Sequence, residues 1–462
     1  MGRKEGLLRK PIAVEGGLVT GIPGERPGVA VFKGIPYASP PVGDRRWRAP
    51  EPVLPWKGER ACDAFGKSCP QWIPPVGSFY QKEFQYPADR SGLSEDCLYL
   101  NVWSPAASDA DRLPVLVWIH GGGFLGGNGG EIEFDGEAMG RRGSVVVTIN
   151  YRVNILGFLA HPDLSAETDR GTSGNYGLLD QIAALRWVRD NIAAFGGDPS
   201  CVTIAGQSAG AMSVQCLLAS PLAKGLFHRA ILQSGGAVHG LVDFQPHAFA
   251  ERNGPRVAAE YGATSVANLR TLSALELVDG MPRSDPGARD PQAIRFAPVV
   301  DGYVLPSDPS DAILAGSVRD VPLMIGLTAD DFKASFHPAP DGKASPPPPD
   351  AMHVRLERGI AEWGEALIRQ KRTPAFLYRF DRRLPGDEAG AFHTSEVWYM
   401  FGTLGRSWRP MTDADRELSD RMVAYWTNFA RTGDPNGPGL PRWESYKGPS
   451  RTFHALDIRK ED

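Results

Sequence analysis

From Leu113 onward the chain alternates between short, nearly unbroken apolar runs and longer stretches in which apolar residues recur every third or fourth position. The runs are Leu113 to Ile119, Ser144 to Ile149, Cys201 to Ala205, Arg229 to Leu232, Val321 to Leu327 and, later, Ala375 to Phe380. Strands of a parallel sheet covered on both faces read this way, because neither face calls for polar side chains. Between the second and third runs, Leu178, Ile182, Leu185, Val188 and Ile192 fall on one face of a helix. Strand, helix, strand in that order predicts a right-handed crossover and an α/β, doubly wound sheet as the core. Further helical patterns occupy Val354 to Ile368 and Leu418 to Phe429. The first hundred residues are rich in Pro, Gly and aromatics, with short runs such as Val29 to Phe32 closed by turn residues. They predict a small N-terminal antiparallel sheet and loops against the main body. The proline run within Ala344 to Asp350 predicts an extended, solvated linker.

Composition narrows the function classes. The 462 residues are 42% hydrophobic and 23% charged, as in a soluble globular protein, and suit a single catalytic domain over 1–462 with inserted loops and helices. A net charge of −4 gives no electrostatic reason for nucleic acid or an anionic membrane as a partner. The first ten residues include basic ones but no apolar stretch fit for a signal peptide or membrane helix. The expectation is a cytoplasmic protein, or a secreted or periplasmic one if a leader has been removed. Five cysteines, Cys62, Cys69, Cys97, Cys201 and Cys216, lack metal-ligand spacing. Cys201 and Cys216 lie in apolar runs and are predicted to be buried.

The candidate chemistry starts at Gly206-Gln207-Ser208-Ala209-Gly210, between a strand pattern and a helix pattern. Such a strand-to-helix turn lifts a serine hydroxyl clear of the sheet, which makes Ser208 the candidate nucleophile. Attack on an acyl carbon puts negative charge on its oxygen, and fixed N–H groups must meet that charge. The first core strand runs into His120-Gly121-Gly122-Gly123-Phe124. Gly122 and Gly123, with the N–H of Ala209, suit a three-donor oxyanion hole. A phosphate loop would want Lys-Ser or Lys-Thr after the glycines, and Phe124-Leu125 stands there instead. A serine also needs a base, and the base needs an acid. Asp330 and Asp331 follow the Val321 to Leu327 strand and are equal candidates from pattern. Of the later histidines, His337 is too near that acid, His353 opens a helical pattern, and His454 has no core strand before it. His393 lies on a loop beyond the Ala375 to Phe380 strand and is the candidate base. His120, beside the glycines, reads as a support for the oxyanion loop.

These residues resemble the type B carboxylesterases, the group that includes cholinesterases and bile-salt-activated lipase. Phe195-Gly196-Gly197-Asp198-Pro199 leading to Gly206-Gln207-Ser208-Ala209-Gly210 is one signature, and Glu95-Asp96-Cys97-Leu98-Tyr99-Leu100-Asn101-Val102-Trp103 is the other. The resemblance spans roughly residues 11 to 450 and implies the α/β-hydrolase fold, a large mostly parallel sheet with helices on both faces. It selects Asp331 over Asp330 by its distance from Gly326, although most members have Glu there. It agrees on His393 within Gly390-Ala391-Phe392-His393. It also implies that Ser234 supports the acid and that a disulfide joins Cys69 to Cys97, which points to an oxidising compartment. The only tryptophan between those cysteines is Trp72, at the far end of the loop from the cholinesterase choline-binding position, so a quaternary-ammonium substrate is not expected. The stretch from Asp331 to His393 is shorter than is typical of the family, and leaves substrate size open.

The expectation is a serine hydrolase of small-molecule carboxylic esters, acting through Ser208, His393 and Asp331 with Gly122, Gly123 and Ala209, without metal or organic cofactor. The alternatives are an amidase or an esterase for a bulky natural product, and, from another class, a non-catalytic esterase-like binding protein.

Overall fold

Along each central strand, alternate side chains enter two different cores. Val115, Val117 and Ile119 pack on one side of the sheet and Leu116 and Trp118 on the other. The apolar runs are therefore continuous because both faces are covered. The computed structural model of the chain describes residues 6–86, 90–241, 243–282, 293–332, 349–448 and 453–458.

The main sheet contains β1 (Ile22–Pro23), β2 (Ala30–Pro36), β3 (Tyr99–Ser104), β4 (Leu113–Ile119), β5 (Val145–Ile149), β6 (Gly197–Gln207), β7 (Arg229–Gln233), β8 (Leu323–Thr328), β9 (Phe376–Phe380) and β10 (His454–Leu456). Their order across the sheet is β10-β9-β8-β7-β6-β4-β5-β3-β2-β1. From β4 to β10 neighbours pair parallel, whereas β5–β3, β3–β2 and β2–β1 pair antiparallel. This is the mostly parallel sheet expected. All six core runs are strands within a few residues of their expected bounds. His454 itself opens β10 beside β9, a short strand that the apolar runs did not predict.

The helical patterns also form helices, at Tyr176–Asn191, Pro349–Arg369 and Asp413–Thr432. The first lies with the Val115 core and the last with the Trp118 core, so the sheet is covered on both faces. Thr412 opens the last helix with a capping box in which Asp415 reciprocates. Of the expected proline linker, Ala344 to Pro348 lie outside the described residues, and Pro349 and Asp350 begin a helix.

The N-terminal region divides its strands between two sheets. Ile12–Val14 and Gly17–Thr20 pair antiparallel, Glu59–Ala61 joins the second of them parallel, and Ala30–Pro36 leaves for the main sheet.

Cys69 and Cys97 are thiols and not the expected disulfide. Both are buried, and the Cys69 thiol hydrogen-bonds that of Cys97, whose pKa this contact and burial raise. The loop between them is closed without a covalent bond. The N–H of Ser94 donates to Ser68 O at 2.9 Å, that of Ser68 to Gly92 O at 2.9 Å, and Arg46 pairs with Glu95 at 2.7 Å. The covalent argument for an oxidising compartment falls with the disulfide. Cys216 is buried as expected, but Cys201 is only half-buried, with the Arg229 guanidinium 3.2 Å from its sulfur.

The segment after β5 is fixed to the Tyr176–Asn191 helix by a buried ion pair. Arg152 donates its backbone N–H and Nε to Asp180 Oδ2 at 3.0 and 2.8 Å, and its Nη2 to Oδ1 at 2.7 Å. Asp180→Ala leaves that guanidinium buried without a counter-charge, at a cost of about 3–5 kcal/mol. The expected result in urea denaturation is a lower midpoint with an unchanged slope.

Candidate active site

Four loops at the carboxyl ends of parallel strands meet at one place: those after β4, β6, β8 and β9. Ser208 follows β6 directly and precedes the helix Ala209–Ala219. Its backbone lies at φ 55° and ψ −125°, a region costly for any residue with a side chain. The turn closes because glycines flank it. A Cβ on Gly206 would lie 2.5 Å from the Gly210 carbonyl carbon, and one on Gly210 would lie 2.0 Å from Ile119 O. The Ser208 N–H donates to Gln233 O at 2.8 Å, which ties the turn to β7. The residue itself is half-buried, with access to solvent.

Beside it, the glycine loop leaves β4 with Gly122 at φ +95° and Gly123 at φ +64°, left-handed values that suit glycine. Leu125 and Gly126 donate back to Gly122 O at 2.9 and 3.2 Å. Among the described residues, no acceptor takes the N–H of Gly122 or Gly123. Ala209, the third expected donor, is the first residue of its helix, where N–H groups carry the positive end of the helix dipole. His120 has the supporting position expected of it. Its ring stacks on Tyr151 at 4.2 Å, its Nδ1 lies 3.0 Å from Gly121 O, and Tyr151 donates its hydroxyl to His120 O at 2.9 Å. Burial pushes its pKa down to about 4, so it is neutral at physiological pH.

Asp331 and His393 meet. His393 Nδ1 lies 2.6 Å from Asp331 Oδ1, both groups are buried, and Phe332 packs 4.1 Å from the imidazole. A proton on Nδ1 in this contact leaves Nε2 as the basic nitrogen. Asp331 Oδ2 accepts the Thr328 N–H at 2.9 Å. Ser234 is buried just after β7, and among the described residues its hydroxyl has no hydrogen-bond partner.

Asp330 does something else. Its Oδ2 accepts the Ala391 N–H at 2.9 Å and faces Arg383 at 3.2 Å, while its own N–H donates to Ala391 O at 2.9 Å. Asp330 thus clips the loop that carries His393 to the end of β8. Gly390 makes room for the clip, since a Cβ there would lie 2.2 Å from Asp330 Oδ2. The other histidine candidates lie elsewhere: His353 faces Glu357 at 3.7 Å within its helix, His454 stacks on Trp443 at 4.7 Å, and His337 is outside the described residues.

Two neighbours escaped the sequence reading. Gln207 brings its Nε2 within 3.2 Å of His393 Nε2, although the signature drew attention only to the serine beside it. Glu396, three residues beyond His393, is buried, and its Oε1 accepts from Gln233 Nε2 at 3.2 Å. Burial first, and the nearby Asp331 carboxylate second, push the Glu396 pKa up to about 8.

The chain is similar to known proteins over most of its length. A family model described as "Carboxylesterase family" matches residues 9–348 and 360–462. The chain is 37% identical over 481 residues to fumonisin B1 esterase of Sphingopyxis macrogoltabida, covering 95% of this chain and 85% of that one. It is 35% identical over 471 residues to para-nitrobenzyl esterase of Bacillus subtilis (strain 168), covering 93% and 91%. A solved PNB esterase superposes with a TM-score of 0.79 at 32% identity, over 97% of this chain and 96% of the other.

The unfolded chain loses the Glu396 proton near the ordinary value of 4.5, and the folded chain holds it to about 8. Stability therefore falls as pH rises through that window, by about 1.4 kcal/mol per pH unit. Glu396→Gln has no proton to lose. Its stability relative to the parent is expected to rise across the window and level off above it, as read by denaturation curves at several pH values.

Proposed function

The chain belongs to the carboxylesterase family and is a carboxylic-ester hydrolase, and from that premise we propose that Ser208, His393 and Asp331 carry the reaction through an acyl-enzyme. The observation that supports this most is the 2.6 Å contact between His393 Nδ1 and Asp331 Oδ1 beside the half-buried turn of Ser208. His393 Nε2 takes the Ser208 proton as Oγ attacks the ester carbonyl, and Asp331 stabilises the imidazolium. The N–H groups of Gly122, Gly123 and Ala209 receive the charge that develops on the carbonyl oxygen. The alkoxide leaves with the proton from His393, and water then cleaves the acyl-enzyme with the same base. The substrate is a small-molecule ester. The relatives named above are esterases, which does not favour the amidase reading.

Ser208→Ala is expected to fold, to lose labelling by a fluorophosphonate probe, and to lose hydrolysis of short p-nitrophenyl esters; turnover at the parent rate would refute the assignment. The two aspartates are expected to separate. Asp331→Asn lowers kcat by about 10⁴-fold, as loss of the acid's charge does in serine hydrolases. Asp330→Asn keeps the triad groups and loses only part of the clip on Ala391, so it retains most of the rate.

A further inference from the structure

We propose that Arg409 is a positioning residue for the catalytic base, holding the chain that leads into His393; this rests on the reading of His393 as that base. The Arg409 side chain is wholly buried and is divided between two carboxylates. Its Nε lies 3.1 and 3.0 Å from the two oxygens of Glu83, which belongs to the short helix Phe79–Phe84. Its Nη1 and Nη2 donate to Asp387 at 2.8 and 3.0 Å, and Nη1 also donates to Pro385 O at 3.0 Å. Arg409 Cζ lies 4.9 Å from the ring centre of Phe392, the residue immediately before His393, and Phe79 packs in a T-shaped arrangement with the same ring at 5.1 Å.

These contacts have one common object. Asp387, Pro385 and Phe392 all lie in the loop that ends at His393, and Arg409 touches each of them. Glu83 is itself immobilised, since it also accepts from Trp398 Nε1 at 3.2 Å and Trp408 Nε1 at 2.9 Å. A buried planar cation with fixed partners on both sides transmits little slack. Asp330 fixes the same loop at Ala391, but from the β8 side. Arg409 supplies a second restraint, so the segment leading into His393 is held by two charged clamps. Loosening one displaces the imidazole relative to Asp331 and Ser208, and a displacement of about 1 Å can cost a hundredfold in rate.

A structural residue and a positioning residue differ in how they treat the leaving group. Both esters of one acyl group need His393 as base, but an alkoxide also needs its proton, whereas p-nitrophenolate leaves without it. The test compares kcat/KM for an ethyl and a p-nitrophenyl ester of the same acid, per site titrated with a fluorophosphonate probe. Arg409→Lys keeps the charge and loses the fork. Asp387→Asn keeps the Arg409–Glu83 pair and weakens only the loop's clamp, and it decides the matter should Arg409→Lys fail to fold. The expected result is a loss of about ten- to a hundredfold on the ethyl ester, with a clearly smaller loss on the p-nitrophenyl ester. Equal losses on the two esters, or no loss per titrated site, would overturn the proposal. Retained turnover in Ser208→Ala would instead overturn the underlying triad reading.

Discussion

A serine at φ 55° and ψ −125° is the constraint from which the site is built. That backbone is worth of order 1–3 kcal/mol against folding, and it persists because its surroundings leave it no alternative. Gly206, Gly210 and Gly235 press the turn against β4, β7 and the helix that follows, each at a distance where a methyl group would collide. Gly235 shows the tightness well, since a Cβ there would lie 2.1 Å from Ser208 O. The strain is thus distributed over parallel strands whose own hydrogen bonds would have to break to relieve it. Everything else in the site is arranged about a hydroxyl whose place is fixed.

Burial also arranges the charges around that hydroxyl. His120 is pushed to the neutral side at physiological pH, and Glu396 is pushed towards keeping its proton. The one supports the glycine loop as a neutral ring. The other sits near Asp331 without adding a full second negative charge. A low-dielectric wall thereby simplifies the electrostatics, so that the contact between His393 and Asp331 is not diluted by its neighbours.

Much of this was legible in the sequence, for physical reasons that differ by element. The central strands were readable because both faces are dry, and the elbow because only glycine fits its flanks. The last strand was not: His454–Leu456 is too short to carry a pattern and exists through its pairing with Tyr378 to Phe380. Nor could the pattern choose between Asp330 and Asp331, since adjacent carboxylates are chemically equal and only the turn's direction tells them apart; the family spacing made that choice. The disulfide was implied only by the family resemblance, whereas here backbone hydrogen bonds around Ser68 and Ser94 close the loop. Glu83 and Arg409 gave no signal at all, being 326 residues apart.

That separation has a consequence for how the molecule comes to be active. Going outward from β6, the sheet adds β7, β8, β9 and β10 in the order in which they are synthesised. Ser208 therefore emerges from the ribosome long before Asp331, and Asp331 before His393. The Glu83 to Arg409 link then joins an early segment to one made later than all three. On the proposed triad, a nascent chain with its central strands already paired still lacks His393, and a refolding intermediate that has formed the sheet centre alone has not yet placed it. Contacts this distant in sequence close slowly. On the proposed triad, full hydrolytic activity is thus a late marker of folding, reached when the two ends of this span have found each other.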